Sequence, residues 1–269
     1  MLFRSGQHGP YAAIAGHDIN YLAISGALHA IGRKGEGPVI PLNLVADFGG
    51  GGMMLAFAIV AALLHSRTTG VGRVIDCAMS DGSAMLMAMA YSLRGQGGWR
   101  DERGSNLLDG GAYFYDCYET SDGRYMAVGA IEPAFRLILF DRLGLTRDPD
   151  FDLSLDDTRW DEQKRRIAAI IRTRTQAEWC ALFDGTDACV APVVAMGEAP
   201  AHPHNAARGT FVTAAGVIQP APAPRFVGAP AVEPRPLSSG PDVTRAVLAR
   251  IGIGEAAMAD LCARGVVGA

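Results

Sequence analysis

The sequence predicts an α/β protein in two parts, on three observations. Strongly apolar helical stretches flank a short β-type run, GRVIDCAM, within the first hundred residues. Two more β runs surround a Ser-Asp-Gly-Arg turn signal, and amphipathic helices with a short strand-like CVAPVVAM come after them. The 269 residues, 49% of them hydrophobic, are enough to bury a core and allow one large domain or two small ones.

The chain opens on a turn signal, MLFRSGQHGPY, with no strand or helix ahead of it. Residues 18–31, DINYLAISGALHAI, carry apolar residues at 19, 22, 23, 27, 28 and 31, a helical stripe with Asp18 as its N-cap. After a Gly/Pro loop, GRKGEGPVIP, Asp47 and four glycines open a helix that runs through MMLAFAIVAALLHSR and stops near TTGVG. This helix is apolar on nearly every side and is expected to be buried. GRVIDCAM reads as a strand, and DGSAMLMAMAYSLRG as a second buried helix capped by Asp81.

Residues 97–111, GGWRDERGSNLLDGG, are polar and glycine-rich and read as a linker. AYFYDCYETSDGRYMAVGAI then forms a hairpin, and Glu132-Pro133 starts a helix with proline at its tolerated first turn. Helices follow around 160–172 and 175–184, then the strand in CVAPVVAM. A Pro-rich extended segment, PAPAPRFVGAPAVEPRP, and helices near 242–251 and 254–264 finish the chain.

Composition narrows the function. The net charge is −4, and the 24 basic residues are scattered without aromatic interleaving, which argues against nucleic acid as a partner. Cys77, Cys117, Cys180, Cys189 and Cys262 show no CxxC or metal spacing, and their odd number suits a reducing cytoplasm. The longest apolar run, residues 53–64, is too short to span a bilayer, so no membrane partner is expected.

Three residues could carry chemistry. His17 stands at a helix start, where a histidine is either structural or a proton carrier. Asp47 is either an ordinary helix cap or, beside four glycines, part of a site where a ligand approaches the backbone and free N–H groups meet a developing oxyanion. The glycines equally suit tight helix packing. Glu132 ends an apolar strand before Pro133, as a helix-start charge or a functional carboxylate. His8, His29, His65, His202 and His204 have no metal spacing and read as solvated or structural.

The words GHDINY at 16–21, PLNLVADFGGGGM at 41–53, GRVIDCAMSDGS, NLLDGGAYFYDCYETSDGRYMAVGAIEPAF and PAPRF resemble the racemase branch of the family III CoA-transferase (CaiB/BaiF) superfamily. The resemblance runs through nearly the whole chain. It implies a Rossmann-like large domain, truncated at its front, at 1–96, a linker at 97–112, a small α+β domain at 113–200, and at 201–269 a Pro-rich return with C-terminal helices of the large domain. It further implies inversion at the carbon next to an acyl-CoA thioester, without metal or organic cofactor, in an interlocked homodimer. His17 and Asp47 would be the acid/base pair, with Glu132 partnering the histidine, from the other subunit if the dimer interlocks. Gly16, Asp18, Ile19, Asn20 and Tyr21 would contact the substrate, with Asn43 in the same pocket. The basic residues that hold the CoA phosphates in such enzymes belong to the βα segment expected to be missing here.

The chemistry agrees. Inverting an α-carbon needs one base on each face, exchanging protonation states, and donors for the enolate oxygen, a task assigned here to the glycine-lined helix start. Two rivals remain: a CoA-transferase in which Asp47 attacks the thioester, and a non-catalytic chain that folds only with a partner.

Overall fold

A computed structural model describes residues 5–230 and 241–267. Residues 231–240, which include the last six residues of the expected Pro-rich segment, lie outside the described residues, as do the first four of the opening turn. The chain divides into two units, Met1–Val193 and Val194–Ala269.

In the first unit the expected single helix over 18–31 is two, α1 (Asp18–Ile24) and α2 (Ala27–Ala30), parted where Gly26 takes φ of 82°. The N-cap of α1 is His17, not Asp18. A π-helix (Leu44–Met53) runs straight into α3 (Met54–Thr69), which Gly70 ends in the left-handed region by donating to the Ser66 carbonyl at 2.8 Å. After it come α4 (Met79–Leu86) and α5 (Ala88–Gly95).

Two helices expected to be buried are not. No residue of α3 is buried, and Phe57, Val60 and Leu64 are each 65% or more exposed. The covering that an all-round apolar helix needs is not supplied by the described residues. In α4 and α5 only the face carrying Met79, Gly82, Ser83 and Ala90 is buried, while Met85, Leu86 and Met89 face out. Asp81 lies in the first turn of α4 and caps nothing; the N-cap is Ala78.

The π-helix and α3 together form one 26-residue stretch, Leu44–Thr69, in which an 18-residue window reaches a mean hydropathy of 1.8, long and apolar enough by length and composition to cross a membrane. The twelve-residue run of the sequence understates it because the glycines and both flanks continue the helix. GRVIDCAM forms no strand: residues 72–78 take no regular structure, Met79 already begins α4, and Val74 is 89% exposed. A strand needs a neighbour to satisfy its backbone, and none of the described residues offers one there.

The hairpin is as expected. Strands β1 (Tyr115–Glu119) and β2 (Tyr125–Gly129) are antiparallel, with Cys117 opposite Ala127, and β3 (Val190–Val193) joins the far side of β2. Met126 and Val128 point from β2 into a core shared with α6 (Pro133–Leu143), α7 (Trp160–Ile171) and α8 (Gln176–Phe183). Full burial of Phe114, Leu139 and Ile167 contributes about 2 kcal/mol each. A capping box fixes the start of α8. Glu178 accepts the Thr175 N–H at 2.8 Å, and the Thr175 hydroxyl accepts the Glu178 N–H at 3.3 Å.

Residues 97–112 form an ordered loop wound on Asp109, whose carboxylate accepts the N–H groups of Gly104, Asn106 and Gly111 at 2.8–3.1 Å. Arg33 and Lys164 both pair with the Asp116 carboxylate of β1, and Lys34 pairs with Asp161 of α7 at 2.8 Å.

In the second unit α9 (Pro203–Arg208) precedes a hairpin of β4 (Phe211–Ala214) and β5 (Val217–Pro220). Its two-residue turn has φ of 50° at Ala215 and 78° at Gly216, both positive as a type I′ turn requires. The helices expected near the end are α10 (Pro241–Arg250) and α11 (Glu255–Ala263).

Candidate active site

His17 caps α1 through its backbone: its carbonyl accepts from Asn20 at 2.9 Å, and its N–H donates to the Asn20 side chain at 3.0 Å. Its imidazole is exposed. The next residue, Asp18, turns inward. Its Oδ2 accepts the N–H groups of both Ala46 and Asp47, each at 2.8 Å, in the first turn of the π-helix. One carboxylate therefore stands between residues 17 and 47, which the chain separates by thirty positions. The Asp47 side chain is half-buried, and its Oδ2 accepts from Asn43 Nδ2 at 3.3 Å.

This arrangement corrects the expected oxyanion donors. The first-turn N–H groups at Ala46 and Asp47 already serve Asp18. The glycines pack. A Cβ on Gly50 would lie 2.7 Å from the Ser83 nitrogen, and one on Gly82 would lie 1.9 Å from the Gly50 carbonyl oxygen. The backbones of the π-helix and α4 meet at a separation that only paired glycines permit.

The other expected substrate contacts fall differently. Tyr21 is buried and lies over Gly16, where a Cβ would stand 2.9 Å from the Tyr21 hydroxyl. Ile19 is exposed, Asn20 is engaged with His17, and Asn43 is engaged with Asp47. Glu132 is exposed at the N-cap of α6, its carbonyl accepting the Arg136 N–H at 3.0 Å. Among the described residues no hydrogen bond or ion pair joins it to His17 within the chain.

A cavity of about 730 Å³ lies between α4–α5 and the sheet, lined by Met87, Met89, Trp99, Tyr115, Cys117 and Cys189 among others. None of His17, Asp47 or Glu132 lines it. Burial pushes up both thiols, Cys117 and Cys189. Among the described residues no group of three or more His, Cys, Asp and Glu side chains could hold a metal ion. Sequence reasoning missed the inward turn of Asp18. Asp18 shares the buried face of α1 with Tyr21 and Leu22, but the sequence alone offers no signal that separates it from an ordinary solvated first-turn acid.

The fold defines a mixed α/β protein in which the Asp18 carboxylate ties α1, the helix that follows His17, to the π-helix turn bearing Asp47. The chain belongs to CoA-transferase family III, whose pattern matches residues 5–243. It is 49% identical over 230 residues to the human α-methylacyl-CoA racemase, covering 84% of this chain, and 48% identical to the mouse enzyme over an equal share. It spans 59% and 60% of those two proteins. A CaiB/BaiF family protein from Brucella suis shares the fold, with a TM-score of 0.73 over 93% of this chain and 66% of that one, at 22% identity.

Proposed function

We propose that the protein to which this chain belongs interconverts the two hands of 2-methylacyl-CoA thioesters, using His17 and Asp47 as its acid/base pair. The observation that carries the reading is the Asp18 link, which ties the start of the helix after His17 to the turn bearing Asp47, in a chain nearly half-identical to racemases.

One base takes the α-proton, breaking the C–H bond and leaving its electron pair in an enolate. The conjugate acid of the other base then delivers a proton to the opposite face, forming the new C–H bond. With the Ala46 and Asp47 N–H groups bound to Asp18, the enolate oxygen is assigned to the start of α1, where the first N–H groups of a helix lack intrahelical partners and follow His17 directly. Glu132 orients the imidazole from the partner subunit of an interlocked homodimer, consistent with its exposure and its separate core. Neither metal nor organic cofactor takes part, since CoA arrives with the substrate, and a cytoplasmic setting suits the thiols of Cys77, Cys117, Cys180 and Cys189.

The test is exchange of the α-proton in D₂O from each enantiomer of a 2-methylacyl-CoA. His17→Ala is expected to lose exchange from one hand and Asp47→Ala from the other. Full exchange in both single variants would sink the two-base reading. Hydroxylamine capture of an acyl–Asp47 adduct, with His17→Ala still active, would favour a transferase instead.

A further inference from the structure

We propose that Asp18 is a positioning residue for Asp47, and that its carboxylate sets the Asp47 side of the reaction more than the His17 side. This rests on the two-base reading and goes beyond it.

Asp18 is 6% exposed, and only Oδ2 has partners; Oδ1 is buried with none among the described residues. Burying a carboxylate with an unpartnered oxygen is costly, and a serine hydroxyl could cap one N–H of the π-helix without that cost. What the charge adds is strength and reach, because hydrogen bonds to an ionised acceptor are roughly twice as strong as neutral ones, and one oxygen here takes two of them.

The element so held is the one least able to hold itself. A π-helix is rare and seldom runs beyond a single turn, yet here it spans ten residues, four of them glycine. Gly50 fixes its middle against Gly82 and Ser83. Its first turn, which bears Asp47, is fixed by Asp18 and by the Asn43 contact to the Asp47 carboxylate. The α1 side is held by burial of Tyr21 and Leu22 in a core with Ala27 and Met79, to which the π-helix adds the single small side chain of Ala46 as its buried member. Removing the carboxylate therefore loosens the turn at Asp47, which keeps only the Ala46 packing and the Asn43 contact, while His17 stays on a helix anchored by Tyr21 and Leu22. A displacement of about 1 Å at a reacting group costs on the order of 100-fold in rate.

The experiment uses the whole chain with Asp18→Ala and Asp18→Asn, and reads two quantities. The first is amide hydrogen exchange at Ala46 and Asp47. Protection is expected to fall at least 10-fold in Asp18→Ala and less in Asp18→Asn, whose carbonyl can still accept, with α7 and α8 unchanged. The second is α-proton exchange from each hand of the thioester. The hand lost in Asp47→Ala is expected to fall 10- to 100-fold in Asp18→Ala, at unchanged KM, with the other hand little affected and Asp18→Asn intermediate.

Unchanged amide protection overturns the proposal, and so does equal loss from both hands or a raised KM, which would make Asp18 a substrate contact. If the wild-type chain exchanges neither hand, the two-base reading fails by itself, and the amide measurement still decides whether Asp18 holds the turn.

Discussion

At the scale of residues, the proposed site is a set of side chains holding one another at helix starts. Asn43 donates to the carboxylate of Asp47 at 3.3 Å across one turn. Asn43→Ala is therefore expected to lower turnover about 10-fold with little change in melting temperature, as losses of supporting partners do, measured as kcat beside a thermal melt. Asn43→Asp should be worse, since it sets two carboxylates against each other. The sequence placed His17 and Glu132 at helix starts, where the structure has them as N-caps. Asp47 does not open its helix: it lies in the first turn of a helix that begins three residues earlier, with Asn43 as N-cap. The sequence could not show that Asp18 looks inward, because an acidic residue after a helix start is ordinarily a solvated first-turn charge. Only the fold supplies the two N–H groups from 28 and 29 residues away.

At the scale of elements, the glycine contact between the π-helix and α4 makes a sharp prediction. Gly82→Ala would gain about 1 kcal/mol of helix propensity. Against that, its Cβ would fall 1.9 Å from a backbone oxygen that cannot rotate away. Overpacking of this kind costs about 1–3 kcal/mol or more, so the clash wins and the denaturant midpoint should drop. The loop before α7 predicts a pH dependence. Ser154 and then Arg159 hold the Asp152 carboxyl down to about 2, and Arg166 lowers Asp148. These are depressed acids, so the unfolded chain binds protons first on acidification. Their contribution is whole above pH 4 and is lost as pH falls from about 4 towards 2. Asp152→Asn should make that acid limb shallower in a denaturation series.

Elements with a strong local signal were legible: the Ser-Asp-Gly-Arg hairpin, the Pro133 helix start, and α7, α8, α10 and α11. The hairpin of β4 and β5 was not, because Ala-Gly lacks the Asn or Asp that usually marks a type I′ turn, and Ala215 takes its positive φ regardless. GRVIDCAM failed for the opposite reason. Its β composition is real, but pairing is a property of neighbours.

At the scale of the whole molecule, α3 dominates. Phe57, Val60, Leu63 and Leu64 are more than half exposed on one helix, beside Met53 and Phe48 of the π-helix. A contiguous apolar surface of this kind drives association in water. The chain alone is expected to bind a hydrophobic dye and to scatter light at micromolar concentration, and Phe57→Lys with Leu64→Lys should reduce both. Unchanged dye binding in the double variant would place the sticky surface elsewhere.

Among the described residues the first unit also has two separate hydrophobic clusters of unequal size. Tyr21, Leu22, Ala27, Ala46 and Met79 make up the buried part of the smaller, and it alone carries the helices of His17 and Asp47. Trp160 and Trp179 belong to the larger, and the third tryptophan, Trp99, lines the cavities beside α5. Regions with few buried contacts open first, so warming should release the amides of residues 46 and 47 before the larger core gives way. Indole emission, reporting mainly from that larger core, would stay native throughout this first step. A melt followed by fluorescence would then certify as intact a protein whose proposed bases had already parted, and only an assay or amide exchange would register the loss.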